Sequence, residues 1–272
     1  FSRPALREAL YRTLSKEQRE RLHAAAAAAL QAESNTIEGS YQRAFHLRSA
    51  GAHVELLDEL PSLVAQLLRS GQPQRVAPLA RWGLEAVDAV QRSESSTPSS
   101  TGDKLRIRLL EAAADAADRL GTREDQRELL EKLAQLDIDP SADPESAGRV
   151  YLLHGRYAVA TGQYGLARGL YKNAVDLLER AGAQLEHSEA LRRLSAVQSH
   201  VGNLVDARGL AERARDRAVV APQRALALLQ LATVGVLEDR LEASLEQTEE
   251  ALRLLRSDTT WSLPGALAGA HL

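Results

Sequence analysis

The sequence predicts an all-α protein, a solenoid of stacked helical hairpins, and three observations carry that prediction. Ala and Leu make up roughly a third of the 272 residues, while Ile occurs only at Ile37, Ile107 and Ile138. Good helix formers dominate and β-branched strand formers are scarce, which argues against a large sheet. Charged residues are 26% and hydrophobic ones 44%, the balance of a folded globular chain rather than a disordered one. Small residues and glycines also recur at a period of about forty residues, the mark of a repeat architecture.

The elements follow in order. Leu6, Leu10 and Leu14 recur every four residues with Tyr11 beside them, a first helix. Ser15 with Gln18 three residues later is a capping box that opens a second. That helix runs through Leu22, His23, the alanines from Ala24 to Ala29, and Leu30. The alanine run has a small cross-section and predicts close approach by a neighbouring helix. Further on, Gly51 precedes Leu56, Leu60 and Leu63; Gly71 precedes Val76, Ala80 and Gly83; Gly121 precedes Gln126, Leu130 and Leu133. Each glycine suits a tight turn inside a helical hairpin, where positive φ is tolerated. The Ser/Thr-rich stretch from Ser93 to Gly102 predicts a mobile loop. Asp137 to Glu145, with Pro140 and Pro144, is a second break, and the tail after Ser257 reads as irregular.

The clearest unit begins near Gly148, with Tyr151 as its first marked residue. Gly155 is followed by Gly162, Tyr164, Ala167, Tyr171 and Ala174 at intervals of 7, 9, 12, 16 and 19. This spacing resembles the tetratricopeptide repeat (TPR), a helical hairpin of about 34 residues. The resemblance implies a right-handed α-solenoid of TPR-like hairpins. Ala167 would let the two helices of a hairpin touch, Tyr171 would fill the gap to the next hairpin, and Ala174 would keep the adjacent helix close. The frame recurs at Gly202-Asn203-Leu204 with Ala207, Ala211 and Ala214, and at Asp239-Arg240-Leu241 with Ser244, Thr248 and Ala251. Ala167 to Ala207 is 40 residues and Ala207 to Ser244 is 37, so helices or turns exceed the standard repeat.

The opening residues carry a second resemblance. Phe1, Leu6, Arg7, Glu8, Ala9, Leu10, Tyr11, Leu14, Arg19, Leu22, His23 and Leu30, continued by Ala44-Phe45-His46-Leu47 and Ala50-Gly51, are similar to a junction in bacterial signal-transduction ATPases with numerous domains (the STAND class). There the segment follows the nucleotide-binding and winged-helix modules and leads into a helical repeat arm. Ser2-Arg3-Pro4 depart from that pattern, which places His and apolar residues there. The resemblance implies a multidomain regulator with a LuxR-type or other DNA-binding domain, or a kinase domain, elsewhere, and an arm that senses an inducer or partner. ATP and Mg²⁺ would belong to an upstream domain, since no Gly-x-x-x-x-Gly-Lys-Ser/Thr loop occurs here. The absence of Met points to an excised or processed piece. The expected organisation is a helical connector at 1–35, degenerate hairpins at 36–92, a flexible linker at 93–103, TPR-like hairpins at 104–256 and an irregular tail at 257–272.

Chemistry is thinly represented. With no Cys there are no disulfides, thiolate metal sites or thiol nucleophiles. A net charge of −3 argues against nucleic-acid binding by this segment. No signal peptide or apolar run long enough to span a bilayer is present, so a cytoplasmic location is expected. The histidines at 23, 46, 53, 154, 187, 200 and 271 form no i,i+4 pair and no His-Glu-x-x-His motif, so no metal is expected. No Gly-x-Ser-x-Gly occurs either, and no catalytic residue is assigned.

A binding face is the better expectation. In TPR arms the inner wall comes from the first helix of each hairpin. The resemblance places Arg149, Leu152, Arg156 and Val159 there, then Arg192, Ala196, Ser199 and His200, then Leu229, Thr233 and Val236. Such a groove would begin cationic and turn apolar, suiting an acidic or C-terminal-carboxylate peptide. Alternatively these arginines are solvated helix residues paired with Glu189 or Asp206. The Lys and Asn carboxylate clamp of chaperone-binding repeats is missing, which disfavours a chaperone adaptor. Trp82, Tyr151, Tyr157, Tyr164 and Tyr171 read either as a ligand-stacking set or as inter-helix packing, the latter being the commoner use of such spacings. The leading expectation is a non-catalytic sensor and protein-interaction arm of a STAND-type regulator, of transcription, binding a protein, a peptide or a small-molecule inducer. The second is a stand-alone TPR scaffold for a peptide or protein, and the third a helical enzyme domain. Self-association is left open.

Overall fold

The computed structural model describes residues 4–33, 36–93 and 100–257. Phe1, most of the Ser/Thr-rich stretch and the tail expected to be irregular lie outside the described residues. Within them the chain is helical, with no strand. The helices are α1 (Pro4–Thr13), α2 (Lys16–Ala29), α3 (Ile37–Ala50), α4 (His53–Arg69), α5 (Val76–Ser93), α6 (Ser100–Leu120), α7 (Arg123–Ala134), α8 (Pro144–Ala160), α9 (Tyr164–Ala181), α10 (Gln184–His200), α11 (Leu204–Arg217), α12 (Ala221–Leu237) and α13 (Leu241–Ser257). The chain divides into two compact units: residues 1–68 with 74–112, and residues 69–73 with 113–272.

In the first unit, α2 begins at the capping box read from the sequence. Ser15 Oγ accepts from the Gln18 amide at 3.2 Å and Gln18 Oε1 accepts from the Ser15 amide at 2.9 Å. The alanine run allows the close approach expected of it. α2 packs on α3, Ala27 is buried, and its carbonyl accepts a 2.6 Å bond from Arg43 Nη1 of α3. α4 buries Leu56, Leu60, Leu63, Val64 and Leu67, a single stripe at helical spacing. α5 answers with Val76, Leu79, Ala80, Trp82, Gly83, Ala86 and Val87. At Gly83 a methyl group would lie 2.7 Å from Leu60 Cδ1 and 2.6 Å from Leu109 Cδ1. Only a residue without a side chain lets α5 approach both neighbours here.

The second unit contains the hairpins α8–α9, α10–α11 and α12–α13, with α10 packed on α9 and α12 on α11. The expected frame is present. Ala167, Ala174, Ala207, Ala211, Ala214 and Ala251 are all 0% exposed and Ser244 5%. A small residue on the first helix faces the second in every hairpin, as Gly155, Ser195 and Gly235, at steps of 40 residues. Ser195 Oγ donates to the Ala207 carbonyl at 2.6 Å. A methyl on Gly235 would meet Ser244 Oγ at 2.4 Å. Tyr171 packs both ways. Its ring lies against Gly155 of its own hairpin, where an added methyl would come within 2.4 Å of Cε1. Gly155 supplies the vacancy on that side, and the same residue joins the buried cluster with Leu191 and Leu194 of the next hairpin.

The turns are glycine-based where expected, at Gly51, Gly71, Gly121, Gly162 and Gly202, and also at Gly182, which the spacing argument did not single out. Gly51 and Gly71 stand only 20 residues apart, at either end of α4. They cannot both turn inside a hairpin, so one of them joins successive hairpins, as Gly182 does between α9 and α10. At the third clear unit Asp239 takes the glycine's place with φ 60°, a conformation that Asp tolerates better than most residues.

Candidate interaction face

The first helices of the hairpins place charged side chains side by side within the second unit. Arg156 of α8 donates from Nη1 to Asp115 Oδ1 at 2.6 Å and from Nε to Asp118 Oδ2 at 2.8 Å, both on α6. Asp115 also receives Arg119 Nε at 2.9 Å, and Asp118 receives Arg123 Nη1 at 2.6 Å. On α10, Glu189 holds Arg192 in a two-pronged pair at 2.7 and 2.9 Å and takes Arg193 Nε at 2.7 Å. Arg149 pairs with Glu145 one turn earlier on α8.

These groups are largely withdrawn from water, which sets their ionisation. Burial pushes the Asp118 carboxyl up, but Arg156 and Arg123 more than offset it, leaving it below the usual carboxylate range. Glu189 is likewise raised by burial and lowered further by Arg192 and Arg193, ending well below its ordinary value. Burial works against the Arg156 cation, yet Asp115 and Asp118 hold it firmly charged. Arg193 is the contrary case. Burial and the neighbouring Arg192 and Arg156 outweigh Glu189 and lower it. It gives Glu189 its Nε, and its two Nη groups find no hydrogen-bond partner among the described residues. Beside it the Tyr171 hydroxyl is buried without a partner and pushed up to about 12, chiefly by burial.

The residues expected to line the groove fall into three groups. Arg149, Arg156 and Arg192 each have a carboxylate partner, so the groove does not begin as a run of uncompensated cations. A buried guanidinium left unpaired would cost several kcal/mol, and the fold supplies carboxylates instead. Arg192 does pair with Glu189, as the alternative reading had it, but only 5% of Arg192 is exposed, so it is not a solvated residue. Asp206 is taken by Asn203 at 2.6 Å and Gln198 at 3.3 Å. Leu152 is buried, and Val159 packs half-buried on the core around Tyr171. Ser199, His200 and Thr233 remain nearer the surface. Ser199 donates to the Ala196 carbonyl, Thr233 to the Leu229 carbonyl, and the His200 ring stacks on Tyr164 at 3.9 Å. The aromatics are mostly packed: Trp82 and Tyr171 are buried, and Tyr164 is engaged by His200. Arg193 was missed by the sequence reading, although its i,i+4 spacing from Glu189 on one helix was legible. Among the described residues no three His, Asp or Glu side chains gather to hold a metal ion. None of their helices is long and apolar enough to cross a membrane.

No family model matches the chain, and no curated protein matches it. Solved structures do. BtubC (BKLC) from P. vanneervenii aligns over 90% of this chain and 92% of its own, at TM-score 0.59 and 12% identity. A second match is PH0952 from Pyrococcus horikoshii, described as a signal transduction ATPase with numerous domains with a tetratricopeptide repeat sensor. It aligns over 90% of this chain at TM-score 0.51 and 15% identity. The fold is TPR-like. The alignment spans 41% of PH0952. The apo form of the quorum sensor NprR from B. thuringiensis aligns over 91% of this chain and 79% of its own at 13% identity, with a TM-score of 0.43.

Proposed function

We propose that this chain is a protein-interaction arm whose α8–α10 face receives an acidic segment of a partner, and that it serves as the sensing arm of a STAND-type regulator of transcription. The observation that carries the binding reading is Arg193. It is a guanidinium with unspent donors, set among charged neighbours where solvent screening is weak. An incoming carboxylate would meet two N–H groups in fork geometry, and Ser199, His200 and Thr233 would extend the contact along the neighbouring first helices. The STAND reading draws support from the junction-like residues around Leu10, Tyr11, Leu22 and His23, and from the PH0952 likeness, whose description names a TPR sensor. Transcriptional output and the nature of the inducer follow from the family resemblance alone. The second reading, a free-standing scaffold for a peptide or protein, rests on the TPR-like fold itself. The two diverge at the gene: a P-loop ATPase encoded immediately upstream belongs to the first only.

Calorimetry tests the binding site. The whole chain would be titrated with a peptide rich in Asp and Glu ending in a free carboxylate, and with a neutral, amidated peptide of equal length. Binding of the acidic peptide that weakens with salt, and weakens about tenfold in Arg193→Gln while Tm holds, is the expected result. A tenfold loss corresponds to about 1.4 kcal/mol, within the range of a hydrogen bond to a charged group. Equal affinity for wild type and Arg193→Gln, or no binding of either peptide, overturns the proposed site.

A further inference from the structure

Within the first unit, two histidines meet across helices. His23 Nδ1 of α2 and His46 Nδ1 of α3 lie 2.7 Å apart. The other nitrogen of His23 lies 2.8 Å from the Tyr11 hydroxyl of α1. A chain of hydrogen bonds therefore runs from α1 through α2 to α3. Phe45 stands edge-on to both imidazoles, at 5.9 Å from His23 and 5.4 Å from His46. Phe45 is itself 39% exposed.

Proton counting decides how this chain behaves. Two Nδ1 atoms at hydrogen-bond distance share one proton: one nitrogen donates it and the other offers a lone pair. With both rings neutral that is satisfied. With one proton added, His23 can donate from both nitrogens, to Tyr11 Oη and to His46 Nδ1, and the chain survives. With two added, both Nδ1 atoms carry hydrogens that point at each other, and the contact becomes a repulsion between two cations. We propose that the His23–His46 pair is a protonation-sensitive clasp, which holds α1 and α2 to α3 near neutral pH and opens when its second proton binds.

Among the described residues no carboxylate bonds either imidazole, and Glu20, one turn before His23 on α2, lies 3.7 Å from Lys16. Arg19 of α2 lies over the Tyr11 ring at 5.6 Å, and Arg43 and Arg48 flank His46 along α3. The carboxylates from neighbouring helices are already engaged: Glu59 of α4 by Arg43 at 2.6 Å, and Glu85 of α5 by Arg48 at 2.9 Å. On the far side of Phe45 are the rings of Trp82 and Tyr41, with Arg75 over Tyr41 and paired with Glu38. Consistent with this, burial holds both imidazoles below the ordinary histidine value, and His46 lowers His23 further. A group depressed in the folded state contributes stability above its unfolded value, near 6.5. That stability is lost as pH falls through the folded value. The open form binds more protons, so its population rises up to tenfold per pH unit for each extra proton taken up.

The test uses the 272-residue chain. Hydrogen exchange of the α1 and α2 amides would be followed at pH 7, 6 and 5, corrected for the intrinsic pH dependence of exchange, with the α8–α9 amides as internal reference. Wild type is expected to lose at least tenfold protection in α1 and α2 between pH 7 and 5 relative to the reference. His46→Gln, whose amide can bond His23 without titrating, is expected to change less than twofold. Nitrogen NMR of the wild-type imidazoles gives a second readout that needs no variant. The pair should titrate in two separated steps, the lower well below 6.5. A single step at the ordinary histidine value, or equal loss of protection in wild type and His46→Gln, would overturn the clasp.

Discussion

Gly155→Ala is a substitution for which simple helix propensity and the packing of this fold predict opposite signs. Propensity alone says the change stabilises α8 by up to about 1 kcal/mol. The packing says otherwise. A methyl at this position would sit 2.4, 2.7 and 2.9 Å from three atoms of the Tyr171 ring. Carbon atoms in contact need about 3.5 Å, so the ring must move by roughly an ångström. Tyr171 is 1% exposed and is held in the core formed by α8, α9 and α10. Overpacking of that kind costs about 1–3 kcal/mol, and here it lies at the upper end because three ring atoms clash at once. After the propensity gain, a net loss of about 1–2 kcal/mol remains. For a chain of this size that is a fall in Tm of about 3–6 °C. Gly169→Ala on α9 is the matched control, since a methyl there meets nothing within 4 Å. It should raise stability by about 0.5–1 kcal/mol. Urea titration and thermal melting of both variants, together with Tyr171→Leu and the double variant Gly155→Ala/Tyr171→Leu, form a cycle. The coupling between positions 155 and 171 should exceed about 1 kcal/mol. If Gly155→Ala raises Tm as Gly169→Ala does, or costs the same with Leu at 171, the close approach of ring and helix is wrong.

Three further outcomes follow from the buried polar groups. Tyr171→Phe removes a hydroxyl without a partner, so urea titration should find the variant unchanged or up to about 1 kcal/mol more stable, against the usual loss when a bonded hydroxyl is deleted. Arg156→Met takes one of two arginine partners from each of Asp115 and Asp118, which keep Arg119 and Arg123, and should cost about 2 kcal/mol by the same assay; replacing Asp118 as well, with Leu, should recover part of that. Asp118 and Glu189 lie below their ordinary values in the folded chain, so their stabilisation is present above about pH 4.5 and is lost as pH falls further. Melting at pH 3 and pH 6 should therefore show a drop that Asp118→Asn reduces.

What could be read from the sequence is what short-range periodicity encodes. The Ser15–Gln18 box, the glycine turns and the Gly155–Ala167–Ala174 frame are local patterns, and each is found in the fold. The charge pairing was harder to read because it joins neighbouring repeats: Arg156 meets Asp118 from 38 residues away and Asp115 from 41. Those separations sit close to the repeat period, so sliding the sequence over itself by one repeat would have set these charges opposite each other. The contact of Tyr171 with Gly155 was not read because spacing alone does not say which way a ring turns, and the vacancy at Gly155 decides it. The His23–His46 contact could not be anticipated at all. Its 23-residue separation matches no period in the chain, and it depends on how α2 and α3 cross.

The hairpins of the second unit touch their sequence neighbours: α8 with α9, α9 with α10, α10 with α11, α11 with α12. Few of these contacts require distant parts of the chain to find one another, so little loop-closure entropy opposes assembly. Folding of this unit should accordingly be fast for its length, with structure able to start in any hairpin and spread outward. The ion pairs that bridge one repeat to the next then act as checkpoints of register, because a hairpin docked one turn out of step would leave Arg156 without its carboxylates.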